Sequence, residues 1–181
     1  MSGNSQVQPE PFGRYEALLQ AWLNEVGGFR IDAYCNAVHL VGENEYWLTS
    51  CRGEKSSVRP SREVRLALPD VRPSQVDPRR GAWLWSHFWM EAAEGVLHQE
   101  ADWMREPVIG TRPIGGADAV AELEYYPRDP EWIPEWMAAK IAAYHEEEAR
   151  ERQEAGTEAA QAEGNGDDEP DSGRGGRTGD E

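Results

Sequence analysis

The chain is 181 residues long, 39% hydrophobic and 29% charged, with 34 acidic side chains against 18 basic ones. That length and composition suit one soluble domain. A net charge of −16 disfavours wholesale binding to nucleic acid or anionic membrane, whose phosphates repel it. No apolar run exceeds four residues, so no transmembrane helix is expected. The first twenty residues lack the basic start and apolar stretch of a secretory leader. Two cysteines sixteen residues apart make neither a disulfide framework nor a zinc knuckle, so reduced thiols in a cytoplasm are the expectation.

Residues 1–13, with Pro9, Pro11 and Gly13, read as a disordered arm, and residues 14–155 as a single α+β domain. Tyr15, Leu18, Leu19, Trp22, Leu23 and Val26 follow the i, i+3, i+4, i+7 spacing of an amphipathic helix, and Gly27-Gly28 supply its left-handed stop. Phe29, Ile31, Ala33 and Cys35 alternate with polar residues as in a half-buried strand. Residues 37–41 and 45–51 read as two further strands joined by Gly42-Glu43-Asn44. Val64, Leu66 and Leu68 share one face of a fourth strand, and the short connections favour an antiparallel meander.

Pro69, Pro73 and Pro78 mark a surface loop, and Asp77-Pro78 fits a helix N-terminus. At 100° per residue a long helix to about Met104 places Trp85, Trp89, Ala92, Ala93, Val96, Trp103 and Met104 on one side. Its other side carries His87, Glu91, Glu94 and His98. Residues 108–117 are glycine-rich and irregular. Residues 119–126 carry two readings: Ala121, Leu123 and Tyr125 alternate like an edge strand, the favoured reading, and Asp118 suits the cap of a helix. Pro134 opens a last helix with Ile133, Met137, Ile141 and Tyr144 as its stripe. Residues 156–181, with eight acids, two bases and no aromatic residue, Val, Ile, Leu or Met, read as a disordered acidic tail, because they bury nothing to offset ordering entropy. The expected architecture is a two-layer α+β fold: N-terminal helix, antiparallel meander of about four strands, long amphipathic helix, C-terminal helix. Secretion-chaperone-like and bacterial immunity-protein modules share this order of elements; the likeness is one of layout and assigns no residue.

The sequence holds no Gly-x-Ser-x-Gly elbow, no phosphate-binding Gly-rich loop, no dinucleotide fingerprint and no His-Glu-x-x-His. No cofactor is therefore expected. Three sets of residues remain as candidates. The stripe His87, Glu91, Glu94 and His98 has imidazoles and carboxylates at i, i+4 spacing, suited to a divalent metal or to an ordinary solvated face. Cys35 and Cys51 make a redox pair only where adjacent strands bring them together, and read as small core residues before nucleophiles. Between Arg52 and Arg80, eight bases face four acids; Arg52, Lys55, Arg59, Arg62 and Arg65 in that segment suit an acidic group or partner, or internal pairing.

Eight tryptophans exceed what a small interior readily takes, and indole favours interfaces. Trp83 falls off the apolar face of the expected long helix, and Trp132 and Trp136 flank the start of the last one. These three form the expected aromatic patch. The leading expectation is a non-enzymatic cytoplasmic module (inhibitor, immunity factor, adaptor or chaperone-like protein) that binds another protein, acidic or DNA-binding, through a tryptophan-rich patch and segregated charge. The alternatives are a metal-dependent enzyme using the His/Glu stripe, and an acidic DNA mimic using Glu146–Glu148 and the tail. Sixteen arginines against two lysines are consistent with a GC-rich genome, as of an actinobacterium or its phage.

Overall fold

The computed structural model describes residues 10–164, with side chains to residue 157; residues 1–9 and 165–181, most of the expected arm and tail, lie outside the described residues. The chain divides into two units, up to Ala142 and from Ala143 on. The first is an α+β fold. Helix α1 (Pro11–Val26) begins inside the expected arm, with proline in its first turn, where a missing N–H costs nothing. It buries Tyr15, Leu19 and Leu23 and ends at Gly27, φ 67°, whose N–H and that of Gly28 return to the carbonyls of Asn24 and Leu23.

Five strands follow: β1 (Arg30–Val38), β2 (Val41–Thr49), β3 (Lys55–Ser57), β4 (Trp85–Glu91) and β5 (His98–Asp102). They form one antiparallel sheet in the order β3-β2-β1-β4-β5. The expected break before residue 37 does not exist. β1 is continuous, and the chain reverses at His39-Leu40, between the paired residues Val38 and Val41. His39 takes φ 50° there, a left-handed conformation that costs a non-glycine residue about 1–2 kcal/mol. Gly42-Glu43-Asn44, read as the turn, lies in β2.

The expected strand at 63–68 is a helix, α2 (Arg62–Ala67), followed by a 3₁₀ turn and a single helical turn, α3 (Val71–Ser74). The Ser61 hydroxyl accepts the Val64 N–H at 3.4 Å, the N-cap contact of a helix start. Val64, Ala67, Leu68 and Val71 are buried at helical spacing, whereas Leu66 is 59% exposed. This run carries the chain from the β3 edge across one sheet face to β4, so the sheet is not a simple meander.

The largest correction concerns residues 78–104. They form no long helix; they form the β4–β5 hairpin. Ser86, Phe88 and Met90 are fully buried while Trp85, His87, Trp89 and Glu91 are only half-buried, the period of two that a strand requires. Gly81 (φ 70°) and Gly95 (φ 67°) sit on either side of β4 in left-handed backbone that a helix interior excludes. A Cβ on Gly81 would also meet the Tyr126 carbonyl at 2.8 Å. The favoured edge strand at 119–126 gives way to the other reading, a helix: α4 (Gly116–Tyr125), whose Asp118 carboxylate accepts the Gly115 N–H at 3.1 Å.

The main core lies between the sheet and α1–α3, and joins Tyr15, Leu19, Ile31, Ala33, Tyr46, Val64, Trp83, Phe88 and Met90. A smaller core sets Leu84 and Ala119 against Met137, with Ile133 and Ile141 packed on it. Met137 and Ile141 belong to α5 (Glu135–Gly164). That helix continues to Gly164, past the expected boundary at residue 155, through Thr157-Glu158-Ala159-Ala160-Gln161-Ala162-Glu163, residues mostly of high helix propensity. Among the described residues no helix is long and apolar enough to cross a membrane.

Candidate functional site

Strand alternation sends one set of side chains into the main core and the other to the opposite, outer sheet face. The register aligns that outer set in rows. One row runs Ser57, Trp47, Asp32, Trp89, His98 across all five strands. The next runs Glu45, Tyr34, His87, Glu100, and Asn36 stands beside Trp85. The outcome is an aromatic surface of Tyr34, Trp47, Trp85, His87, Trp89 and His98, each partly accessible to solvent.

Asp32 anchors it. The carboxylate is 3% exposed, accepts Arg30 through Nε at 3.1 Å and Nη2 at 2.7 Å, and lies 2.8 Å from His87 Nε2. Burial alone would raise the Asp32 carboxyl, but the hydrogen bonds from Arg30 and His87 outweigh it and hold the group below its ordinary value. Its contribution to stability is therefore complete above the unfolded value of about 3.9 and is lost as the pH falls through the lower folded value. Asp32→Asn is expected to remove part of the wild type's loss of stability below about pH 4. Urea unfolding across a pH series checks this, and parallel acid limbs in the two proteins would contradict it.

The rings are held by one another. Tyr34 stacks on His87 with centroids 4.4 Å apart and planes 10° apart, and Trp89 stacks on His98 at 5.2 Å and 14°. Lys55 Nζ lies 5.7 Å from both the Tyr34 and Trp47 rings, Arg30 Cζ 5.8 Å from Trp89, and Arg105 Cζ 4.7 Å from Trp85, within cation–π range. Trp83, Trp103 and Trp136 give their indole N–H to Gln75, Gly81 and Met104. Among the described residues Trp47, Trp85 and Trp89 have no such acceptor, so their donors remain for water or a partner.

The structure places the expected site residues differently. Trp83 is 2% exposed and belongs to the main core. Trp132 and Trp136 are half-buried beside Arg80 and Met104, so the three do not make one exposed patch. The helix face of His87, Glu91, Glu94 and His98 does not exist, because the segment is a hairpin. His87 and Glu91 lie on β4, Glu94 in the turn after it and His98 on β5; His87 meets Asp32, and His98 meets Glu94 at 2.9 Å. Among the described residues no group of three or more His, Cys, Asp or Glu is placed to hold a metal ion.

Of the basic segment, Arg52, Lys55, Arg59 and Arg62 are exposed around the β3 edge and the start of α2, and Arg65 donates to the Pro60 carbonyl at 3.2 Å. None of the five has a carboxylate within ion-pair distance among the described residues. Arg72, Arg79 and Arg80 of the same stretch are paired with Glu122, with Asp129 and Glu131, and with Asp77. The cysteines stay apart: Cys35 is buried, with burial pushing its thiol far up, and Cys51 is exposed. Glu146–Glu148 lie in the second unit on α5, where Glu148 accepts the Tyr144 hydroxyl at 3.1 Å.

The aromatic face was missed because Trp47, Tyr34 and the β4 rings come together only through the register; the alternation in Trp85–Glu91 was the signal that could have found half of it. His87 held by Asp32 has the geometry of an oriented imidazole, but among the described residues no hydroxyl or thiol is hydrogen-bonded to it, so the nucleophile of an acyl-transfer triad is missing. An aromatic surface whose rings pack on one another and whose indole donors lack acceptors among the described residues is suited to binding. A comparison of the sequence with models of known protein families and with curated proteins finds no match.

Proposed function

We propose that this protein is a binding module for another protein, and that its working surface is the outer face of the sheet. The observation that carries the reading is the cluster of Tyr34, Trp47, Trp85 and Trp89, each partly open to solvent, on the sheet face opposite the main core. Trp, Tyr and Arg dominate interface energetics because they desolvate large areas with few rotatable bonds. The Arg30–Asp32–His87 network fixes the rings beforehand, which lowers the ordering cost of association.

The charge around the rings selects the partner. Arg30 and Lys55 lie over aromatic rings inside the face, while Glu45, Glu91 and Glu100 occupy its outer-facing positions around them. The fitting partner presents an apolar centre bordered by lysine and arginine, a description that includes DNA-binding proteins. The chain's net charge of −16 speeds such an encounter at low salt.

The test is affinity capture from the native host, followed by binding of the purified partner. Trp47→Ala and Trp89→Ala are each expected to weaken the complex by about 30-fold or more, the effect of losing a hot spot worth about 2 kcal/mol, while Trp132→Ala leaves it within a few-fold. Equal affinity for wild type and both face variants would refute the assignment, as would a chain that remains a partnerless monomer at every salt concentration.

A further inference from the structure

On the helix-bearing side of the sheet a cavity of about 260 Å³ opens beside the His39-Leu40 turn. Leu68, Pro69 and Pro73 from the α2–α3 run and Trp83 form its apolar walls, and its polar lining includes His39 and Arg72. Three further observations meet there.

The first is the turn itself. Among the described residues His39 is the one non-glycine residue with positive φ, at the position of a two-residue hairpin that favours glycine, asparagine or aspartate. Its backbone is held in place from both sides. The His39 N–H donates to Glu122 Oε2, and Arg72 Nη1 donates to the His39 carbonyl at 3.1 Å. Strained backbone retained by its surroundings is common at binding sites. The second is the His39 ring, whose Nε2 is buried without a hydrogen-bond partner, a rare condition in a folded protein. The third is charge. Arg72 and Arg128 share the single carboxylate of Glu122, and all three side chains are at least nine-tenths buried. The Trp83 and His39 carbonyls take up further Arg72 donors, but these are dipoles, so the cluster keeps two cations for one anion. Buried charge calls for a compensating charge.

We propose that this cavity binds a small organic carboxylate with a hydrocarbon or aromatic body. The carboxylate lies against Arg72 and, once the His39 ring turns its enclosed Nε2 toward the cavity, against that nitrogen; the body lies between Leu68, Pro73 and Trp83. This site lies on the opposite side of the sheet from the aromatic face, and neither assignment needs the other.

The test titrates the full-length chain with benzoate and phenylacetate, and with benzamide and phenylacetamide as uncharged counterparts, by calorimetry and by amide shifts of the lining residues. Both carboxylates are expected to bind saturably, about tenfold or more tighter than the amides. His39→Gly, which relieves the left-handed backbone and so keeps the fold, is expected to weaken them by about tenfold, the effect of one lost hydrogen bond. The proposal is overturned if neither carboxylate saturates at millimolar concentration, if the amides bind equally well, or if His39→Gly leaves affinity unchanged.

Discussion

Replacing Glu122 with alanine is expected to lower the unfolding free energy by about 3–5 kcal/mol, the range for breaking a buried ion pair by removing one partner. Glu122 Oε1 accepts from Arg72 Nη2 at 2.7 Å and from Arg128 Nη2 at 3.1 Å, and Oε2 accepts from Arg72 Nη2 at 2.8 Å. Oε2 also accepts the His39 backbone N–H, joining α4 to the β1–β2 turn. Burial pulls the Arg128 guanidinium below its ordinary value, with Glu122 opposing that pull. Alanine leaves two guanidinium groups enclosed with no counter-charge and orphans the His39 donor. Glu122→Gln keeps the volume and one acceptor oxygen, so its cost is expected to be smaller but still clear. Urea unfolding of the three proteins at neutral pH measures both, and a loss below about 1 kcal/mol for alanine would show the cluster to be energetically idle.

Trp83→Ala is expected to cost a further large amount, about 3–5 kcal/mol. The indole is almost fully enclosed, packs edge-on to Phe88 with centroids 6.1 Å apart and donates to Gln75 Oε1 at 2.9 Å. Gln75 in turn is tied to Gln99, and Gln99 to Ser86, so truncation opens a cavity and loosens a polar chain that links the helices to β4 and β5. Trp132→Ala is the comparison. That ring is half-buried, with Arg80 Cζ 5.4 Å from it, and its loss is expected to fall within about 1 kcal/mol. Denaturant midpoints with near-ultraviolet circular dichroism separate the two. Similar small costs would return Trp83 to the surface role that its position off a helical stripe suggested.

The α+β class and α1 were legible because Tyr15, Leu19 and Leu23 carry a long, clean 3.6-residue period ended by glycine. The hairpin of β4 and β5 was not, because tryptophans at 85 and 89 fit a helical step and a strand step alike; the glycines at 81 and 95 and the buried Ser86 decide for the strand. The same aliasing hid α2, since Val64, Leu66 and Leu68 alternate while Val64, Ala67 and Leu68 repeat helically, and only the Ser61 cap separates the two. Of the candidate site, composition announced an excess of indole, but which rings stay outside depends on pairings between residues as distant as Asp32 and Trp89. The Glu122 cluster had no local sign at all, because its members come from three separated stretches of chain.

The position of β1 carries a consequence for synthesis. This central strand is made well before its second neighbour, β4, which follows only after β2, β3 and the α2–α3 run. A nascent chain that has reached α3 has one whole edge of β1 unpaired beside Ile31, Ala33 and Cys35, with Phe88 and Met90 still untranslated. During that interval the growing polypeptide displays a long strand with one apolar face and an open edge, which invites pairing with other chains.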